Sequence, residues 1–387
     1  MITNITDTIR YIGVDDNDID LFESQYIVPN GISYNSYLIF DDKIAIMDTV
    51  DARKSEEWWQ NLREALAGRT PDYLVVHHME PDHAGNIAKV VAEYPEIKLV
   101  ASARAIDMMP QFFENTDFTG RTIAVKEGDT LSLGAHTLTF MMAPMVHWPE
   151  VMVSYDALDK VVFSADGFGK FGALSHEEDW ACEARRYYFN ICGKYGAPVQ
   201  ALLKKLATLD VAIICPLHGP ILTENLGYYI GLYDCWSRYD VESEGVFIAY
   251  ASIHGGTAKA AHKLAEILRE KGAKKVAMAD LTRDDMAEAI EDAFRYGKMV
   301  VAAASYDGDV FTPMHCFLHK LGTKGYRNRR VAIVENGSWA PCAGRVMKSM
   351  LEQMSGVEIV GDMVTIRSTM KQGDIPAIEA LADAILA

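Results

Sequence analysis

The chain has 387 residues, room for two domains of ordinary size, and 49% of them are hydrophobic, enough to fill a core in each. Its 37 lysines and arginines face 54 aspartates and glutamates, and the net charge of −17 argues against a nucleic-acid groove as its main business. No apolar run is long enough to span a bilayer and no basic-then-apolar leader opens the chain, so no membrane role and a cytoplasmic setting are expected.

Up to residue 244 the chain reads as short strands interrupted by helical periods. Residues 36–40 and 43–47 alternate around Asp41-Asp42 and predict an antiparallel pair. A helix is expected over 56–67, a buried strand over 73–76 and a helix over 87–92, with further strands over 136–140, 160–165 and 211–215. This mixture predicts an αββα sandwich, two sheets between helices, over residues 1–244.

The strand over 73–76 runs directly into His78-Met79-Glu80-Pro81-Asp82-His83, two imidazoles and two carboxylates in six residues. A strand end holds ligands rigidly while a loop lets them converge. Side chains this close in sequence diverge too much to serve one ion, so two adjacent metals fit better. His147, Asp166 and His218 each follow an apolar strand in the same way. Singly, each has a bland account: a histidine after a strand is usually a packed or loop residue, and Asp166 before Gly167 could serve a turn. His77 reads as structural, because only His78 keeps the spacing to Glu80 and His83; His176, in a polar run, reads as solvated loop. Carboxylates in the set favour iron or manganese over zinc, which prefers nitrogen and sulfur.

After a short polar joint at 242–245 the rhythm changes to β-α alternation over residues 245–387. Strands over 246–250, 275–278, 299–303 and 331–334, with helices over 257–271 and 284–295, predict a parallel, doubly wound sheet. Such sheets bind ligands at strand C-termini, where three turns stand. Ser252-Ile253-His254-Gly255-Gly256-Thr257 offers backbone N–H groups, a helix start and two hydroxyls to a phosphate. Ser305-Tyr306-Asp307-Gly308 and Asn336-Gly337-Ser338-Trp339-Ala340 follow the third and fourth strands. Tyr306 and Trp339 could flank a flat ring, with ordinary packing or surface aromatics as the equal alternative. No G-x-G-x-x-G follows a strand, so a mononucleotide is expected rather than a dinucleotide.

The ordered set His78-x-Glu80-x-Asp82-His83, His147-Trp148-Pro149, Asp166 and His218-Gly219, preceded by Asn30-Gly31-Ile32-Ser33-Tyr34-Asn35-Ser36-Tyr37, resembles a metallo-β-lactamase-like half, with Glu80 where that motif has a second histidine. Followed by a flavodoxin-like half, the whole chain resembles the flavodiiron proteins, also called A-type flavoproteins. The resemblance implies FMN, two non-haem irons per chain, and reduction of O2 to water and/or of NO to N2O. It also implies a head-to-tail homodimer in which the flavin of one subunit serves the irons of the other. By the family pattern His78, Glu80 and His147 hold one iron, Asp82, His83 and His218 the other, and Asp166 bridges; His83 is a position that does not ligate in every member. A place near the substrate pocket is implied for Tyr195, for which packing is an equal account.

The chain departs from the family pattern at two loops. The phosphate loop, usually Gly-Asn-Thr, is Gly255-Gly256-Thr257, and the third loop, usually Trp-Ser-Gly-Gly, is Trp339-Ala340-Pro341-Cys342, where proline removes a donor. The six cysteines include no C-x-x-C pair, so no rubredoxin-type site can be built, and electrons are expected from a separate redox protein such as rubredoxin or a flavin reductase. A dinuclear zinc hydrolase with a flavodoxin-like accessory domain is the alternative, and Glu80 counts against it; an electron carrier with a merely structural metal half is a third reading. Lys320, Lys324, Arg327, Arg329 and Arg330 suggest a docking patch for an acidic donor or, more simply, a solvated loop.

Overall fold

A computed structural model describes residues 2–387. The chain forms two compact units. One runs to Tyr188 and takes in Ala197–Asp234; the other comprises Phe189–Gly196 and Cys235–Ala387.

In the first unit, one sheet orders its strands Thr3–Asn4, Ile9–Tyr11, Tyr37–Ile39, Ala45–Met47, Tyr73–Val76, Lys98–Ser102 and Thr122–Val125. Tyr37–Ile39 and Ala45–Met47 pair antiparallel, as their short connection requires. The next three pairings are parallel, because the helices Ser55–Leu66, Ile87–Glu93 and Ala103–Phe112 make the crossovers. The sheet is therefore mixed, where alternation alone predicted antiparallel pairing.

The second sheet runs Thr130–Ser132, Thr137–Met142, Met152–Asp156, Val161–Phe163 and Ile213–Cys215. Met152–Asp156 is antiparallel to both of its neighbours, and Ile213–Cys215 is parallel to Val161–Phe163. Three strands thus end at the same edge, and His147, Asp166 and His218 follow those three ends. The two sheets share one core, with Ile39, Met47, Val75 and Val100 against Leu138, Phe140, Met152 and Phe163. His136 ties the N-terminal segment to this sheet: Nε2 lies 2.9 Å from Thr8 Oγ1 and Nδ1 3.1 Å from Asp156 Oδ2.

The second unit is a parallel sheet ordered Val276–Asp280, Ser243–Ala251, Tyr296–Tyr306, Arg330–Asn336, with Glu358–Ile359 and Val364–Ile366 both on the last strand. In chain order this is 2-1-3-4-5, the flavodoxin-like arrangement. Ile248, Leu264, Val300, Val334 and Leu381 belong to its core. The turn after Tyr296–Tyr306 is a hairpin: Asp307 and Gly308 have φ of 52° and 76°, and Asp309–Val310 pairs back antiparallel.

The basic cluster is not wholly a solvated loop. Arg329 is buried, and its guanidinium donates to the carbonyls of Tyr239 (2.8 Å), Asp240 (3.0 Å), Phe294 (2.6 Å) and Tyr296 (3.0 Å). Buried carbonyls at element ends need donors, and one planar fork serves several. Lys324 donates to Asn190 O (2.5 Å), and Arg327 stacks on Tyr239, 4.2 Å from its centroid.

Candidate metal centre

Where Tyr73–Val76 ends, His77 turns to structural partners: Nδ1 meets Asp48 Oδ2 at 2.5 Å and Nε2 meets Ser154 Oγ at 2.8 Å. The following segment is not all loop. Pro81, whose fixed φ suits a first helical position, starts the short helix Pro81–Ala84, so Asp82 and His83 sit on helical backbone.

Seven side chains then converge as two groups. In the first, His147 Nε2 lies 3.0 Å from both Glu80 Oε2 and Asp166 Oδ2, and His78 Nε2 lies 3.1 Å from Glu80 Oε2 and 3.3 Å from His147 Nε2. In the second, Asp82 Oδ2 is 3.2 Å from both His83 Nε2 and His218 Nε2, and those two nitrogens are 3.1 Å apart. Asp166 joins the groups, with Oδ2 toward the first and Oδ1 3.2 Å from His83 Nε2.

Donors bound about 2.0–2.2 Å from one ion sit roughly 3.0–3.5 Å from each other, the spacing found here. The alternative, direct hydrogen bonding, fails on orientation: both carboxylate oxygens of Asp82 and of Asp166 are buried without an aligned donor. Orphaned buried oxygens facing paired imidazole nitrogens are what a cation satisfies.

The electrostatics agree. Burial opposes charge on His78, yet Asp166, Glu150 and Glu80 hold it up at about 9. Burial likewise opposes charge on His83 and His147, but neighbouring carboxylates raise both well above the ordinary value. Burial would raise Asp166, and the surrounding imidazoles instead hold it well below the carboxylate range. The pocket attracts positive charge, which protons supply where metal does not.

Further residues aim the ligands. His218 Nδ1 lies 2.7 Å from Ser33 O, which can only accept, so Nδ1 carries the hydrogen and Nε2 presents its lone pair. His78 Nδ1 is 2.7 Å from Glu150 Oε1. Asn35 Nδ2 donates to Pro216 O and Gly219 O, each at 2.8 Å, and clamps the His218 loop. Lys170, buried, donates to Phe171 O and pairs with Glu178 Oε2 at 3.1 Å. Glu178 comes from the polar run whose His176 stays exposed. Phe22 lies 5.4 Å from the His218 ring, edge on. Beside it, at the hairpin tip, local desolvation and the charge of Glu80 push the Glu23 carboxyl up to about 7.

The three predicted turns of the second unit meet around a cavity of about 510 Å3. Ser252, Ile253, His254, Gly256 and Thr257 line it with Ser305, Tyr306, Asp307 and Gly308 and with Asn336, Gly337, Ser338, Trp339 and Ala340. Gly255, at φ +83°, is the N-cap of the helix Gly256–Glu270. Trp339 is 90% exposed, so it is no packing residue. Tyr195 is half-buried on the turn Gly193–Tyr195 of the second unit and is not among the residues the first unit gathers.

Residues 32–219 match the family model described as ODP family beta lactamase. The chain is 28% identical over 348 residues to the anaerobic nitric oxide reductase flavorubredoxin of Escherichia coli, covering 87% of this chain and 72% of that protein. It superposes on the rubredoxin:oxygen oxidoreductase of Desulfovibrio gigas with a TM-score of 0.93 at 26% identity, over 100% of this chain and 98% of that one. Along its whole length the chain is similar to the flavodiiron proteins. The flavodiiron protein of Giardia intestinalis shares the fold, with a TM-score of 0.90 at 21% identity over 99% of this chain and 96% of that one. The two units of this chain are accordingly a metallo-β-lactamase-like αββα sandwich and a flavodoxin-like doubly wound sheet. Among the described residues no helix is long and apolar enough to cross a membrane.

Proposed function

We propose that this chain is a flavodiiron protein and reduces O2 to water, NO to N2O, or both, with electrons passing from a separate redox protein through FMN to two non-haem irons. The observation that carries the reading is the pair of buried donor groups joined by Asp166. In it, residues 1–244 are the diiron domain and 245–387 the FMN domain. His78, Glu80 and His147 hold one iron, Asp82, His83 and His218 the other, and Asp166 spans both. The turns at 252–257, 305–308 and 336–340 hold FMN, and Tyr195 stands near substrate. A head-to-tail homodimer, a rubredoxin or flavin reductase as donor and a cytoplasmic setting complete the proposal; six scattered cysteines with no C-x-x-C pair suit a reducing compartment.

When bound, the irons supply reducing electrons and open positions for a diatomic, and FMN relays electrons to them. The protein's part is placement. Ser33 and Glu150 fix the imidazoles, three carboxylates offset most of the charge of two divalent ions, and Phe22, Tyr34 and Tyr187 pack around His218 to restrict water. A carboxylate-rich ligand set in one unit, together with a mononucleotide-sized cavity in the other, weighs against a zinc hydrolase.

The test is iron and FMN content, with anaerobic reoxidation of the reduced protein by each gas. Asp166→Ala should lower iron from about two per chain to one or fewer while FMN stays, and gas consumption should cease. A native protein that holds iron and FMN but consumes neither gas, or that holds zinc and no flavin, sinks the reading.

A further inference from the structure

The segment after the short strand Val364–Ile366 lies outside the three strand-end turns, yet Ser368 lines their cavity. Ser368 has φ +66°, and Thr369 N donates across it to Arg367 O at 2.9 Å, which makes a γ-turn. A non-glycine residue held there is strained and persists only where neighbours over-determine it. They do so here. Asn336 Nδ2 donates to Ser368 O (3.0 Å), Gly337 N donates to Ile366 O (3.1 Å), and the hydroxyls of Ser368 and Ser338 pair at 2.9 Å. From behind, Lys371 Nζ donates to Arg367 O (2.7 Å) and Thr369 O (3.0 Å), and Lys259 Nζ reaches Met370 O (3.4 Å).

The turn abuts the helix start that faces the cavity. A Cβ on Gly256 would stand 2.0 Å from Ser368 O. Gly256 opens the helix Gly256–Glu270 with ordinary backbone, so glycine is required by the close approach and not by conformation.

We propose that the Ser368 turn is a fourth wall of the flavin cradle, which grips the terminal phosphate and closes the cavity against a dinucleotide. This rests on the FMN reading above and extends it. N–H groups at the helix start attract an anion, and the Lys259 and Lys371 ammonium groups add positive charge in a chain of net −17. Ser368 Oγ donates to Ser338 Oγ, which leaves the Ser338 proton free for a phosphate oxygen. A phosphomonoester ends where the turn stands; an ester continuing to a second nucleotide would have to displace it.

The experiment titrates the flavin-stripped full chain with FMN, riboflavin and FAD, read by flavin fluorescence. The native chain should bind FMN far more tightly than riboflavin or FAD. Ser368→Ala, which removes the donor that turns the Ser338 proton toward the phosphate, should weaken FMN about tenfold and leave riboflavin unchanged, the loss of one well-aimed hydrogen bond to a charged group. Gly256→Ala, whose methyl must push the turn away, should weaken FMN at least as much and narrow its advantage over FAD, with iron content showing that the chain still folds. Equal losses for FMN and riboflavin in both variants, or none in either, would overturn the fourth wall while leaving the FMN site intact. A native chain that binds no flavin would overturn the FMN reading as well.

Discussion

Glu150 satisfies two donors with one oxygen: His78 Nδ1 at 2.7 Å and the Met79 N–H at 2.9 Å. Glu150→Ala should therefore loosen His78 and lower iron retention by about 10–100-fold in a chelator competition, with FMN unaffected. Nothing in the sequence links Glu150 to His78, since no period or spacing connects residues so far apart; the same holds for Glu23 and Ser33. The ligands were legible because each follows an apolar strand, whereas the residues that aim them follow no such rule. A second residue-scale effect is pH dependence away from the metals. The Asp156 carboxylate, 3.1 Å from Nδ1, raises the His136 pKa against the opposing effect of burial, with Asp159 and Asp41 adding to the rise. A raised folded pKa means stabilisation that is complete below the unfolded value near 6.5 and is lost as pH climbs through the folded value. His136→Gln should flatten that fall, as seen in melting temperatures measured across pH 6 to 9.

Arg329 shows what an element end requires. It joins the connection at Tyr239 and Asp240 to the end of the helix Met286–Arg295 and to the strand after it by donating to their carbonyls. Arg329→Met keeps the volume and strips the donors, so the second unit should lose on the order of 3 kcal/mol, with its calorimetric transition several degrees lower. Sequence reasoning placed Arg329 in a charged run, because composition alone cannot show which member of a run turns inward. The long elements were easier: 257–271 has a helical period, and the structure has Gly256–Glu270. Pro81–Ala84 is too short to carry a period, and the hairpin at Asp307-Gly308 carried its turn signal only in those two residues.

At the scale of the molecule, the first unit closes around a pocket rich in carboxylate. Removing iron should leave Asp82 and Asp166 uncompensated, so a chelator should lower the melting temperature of that unit, and ferrous iron added back should restore it. Calorimetry with and without chelator checks this, and an unchanged transition would mean the pocket folds without regard to its ions. The donors are also strung unevenly along the chain. His78, Glu80, His147 and Asp166 are all translated by residue 166, while the group of Asp82 and His83 waits for His218. As the polypeptide leaves the ribosome, one binding place can be whole roughly fifty residues before the other. Maturation would then have an intrinsic order, with a half-loaded form as its natural waypoint whenever the supply of iron runs short.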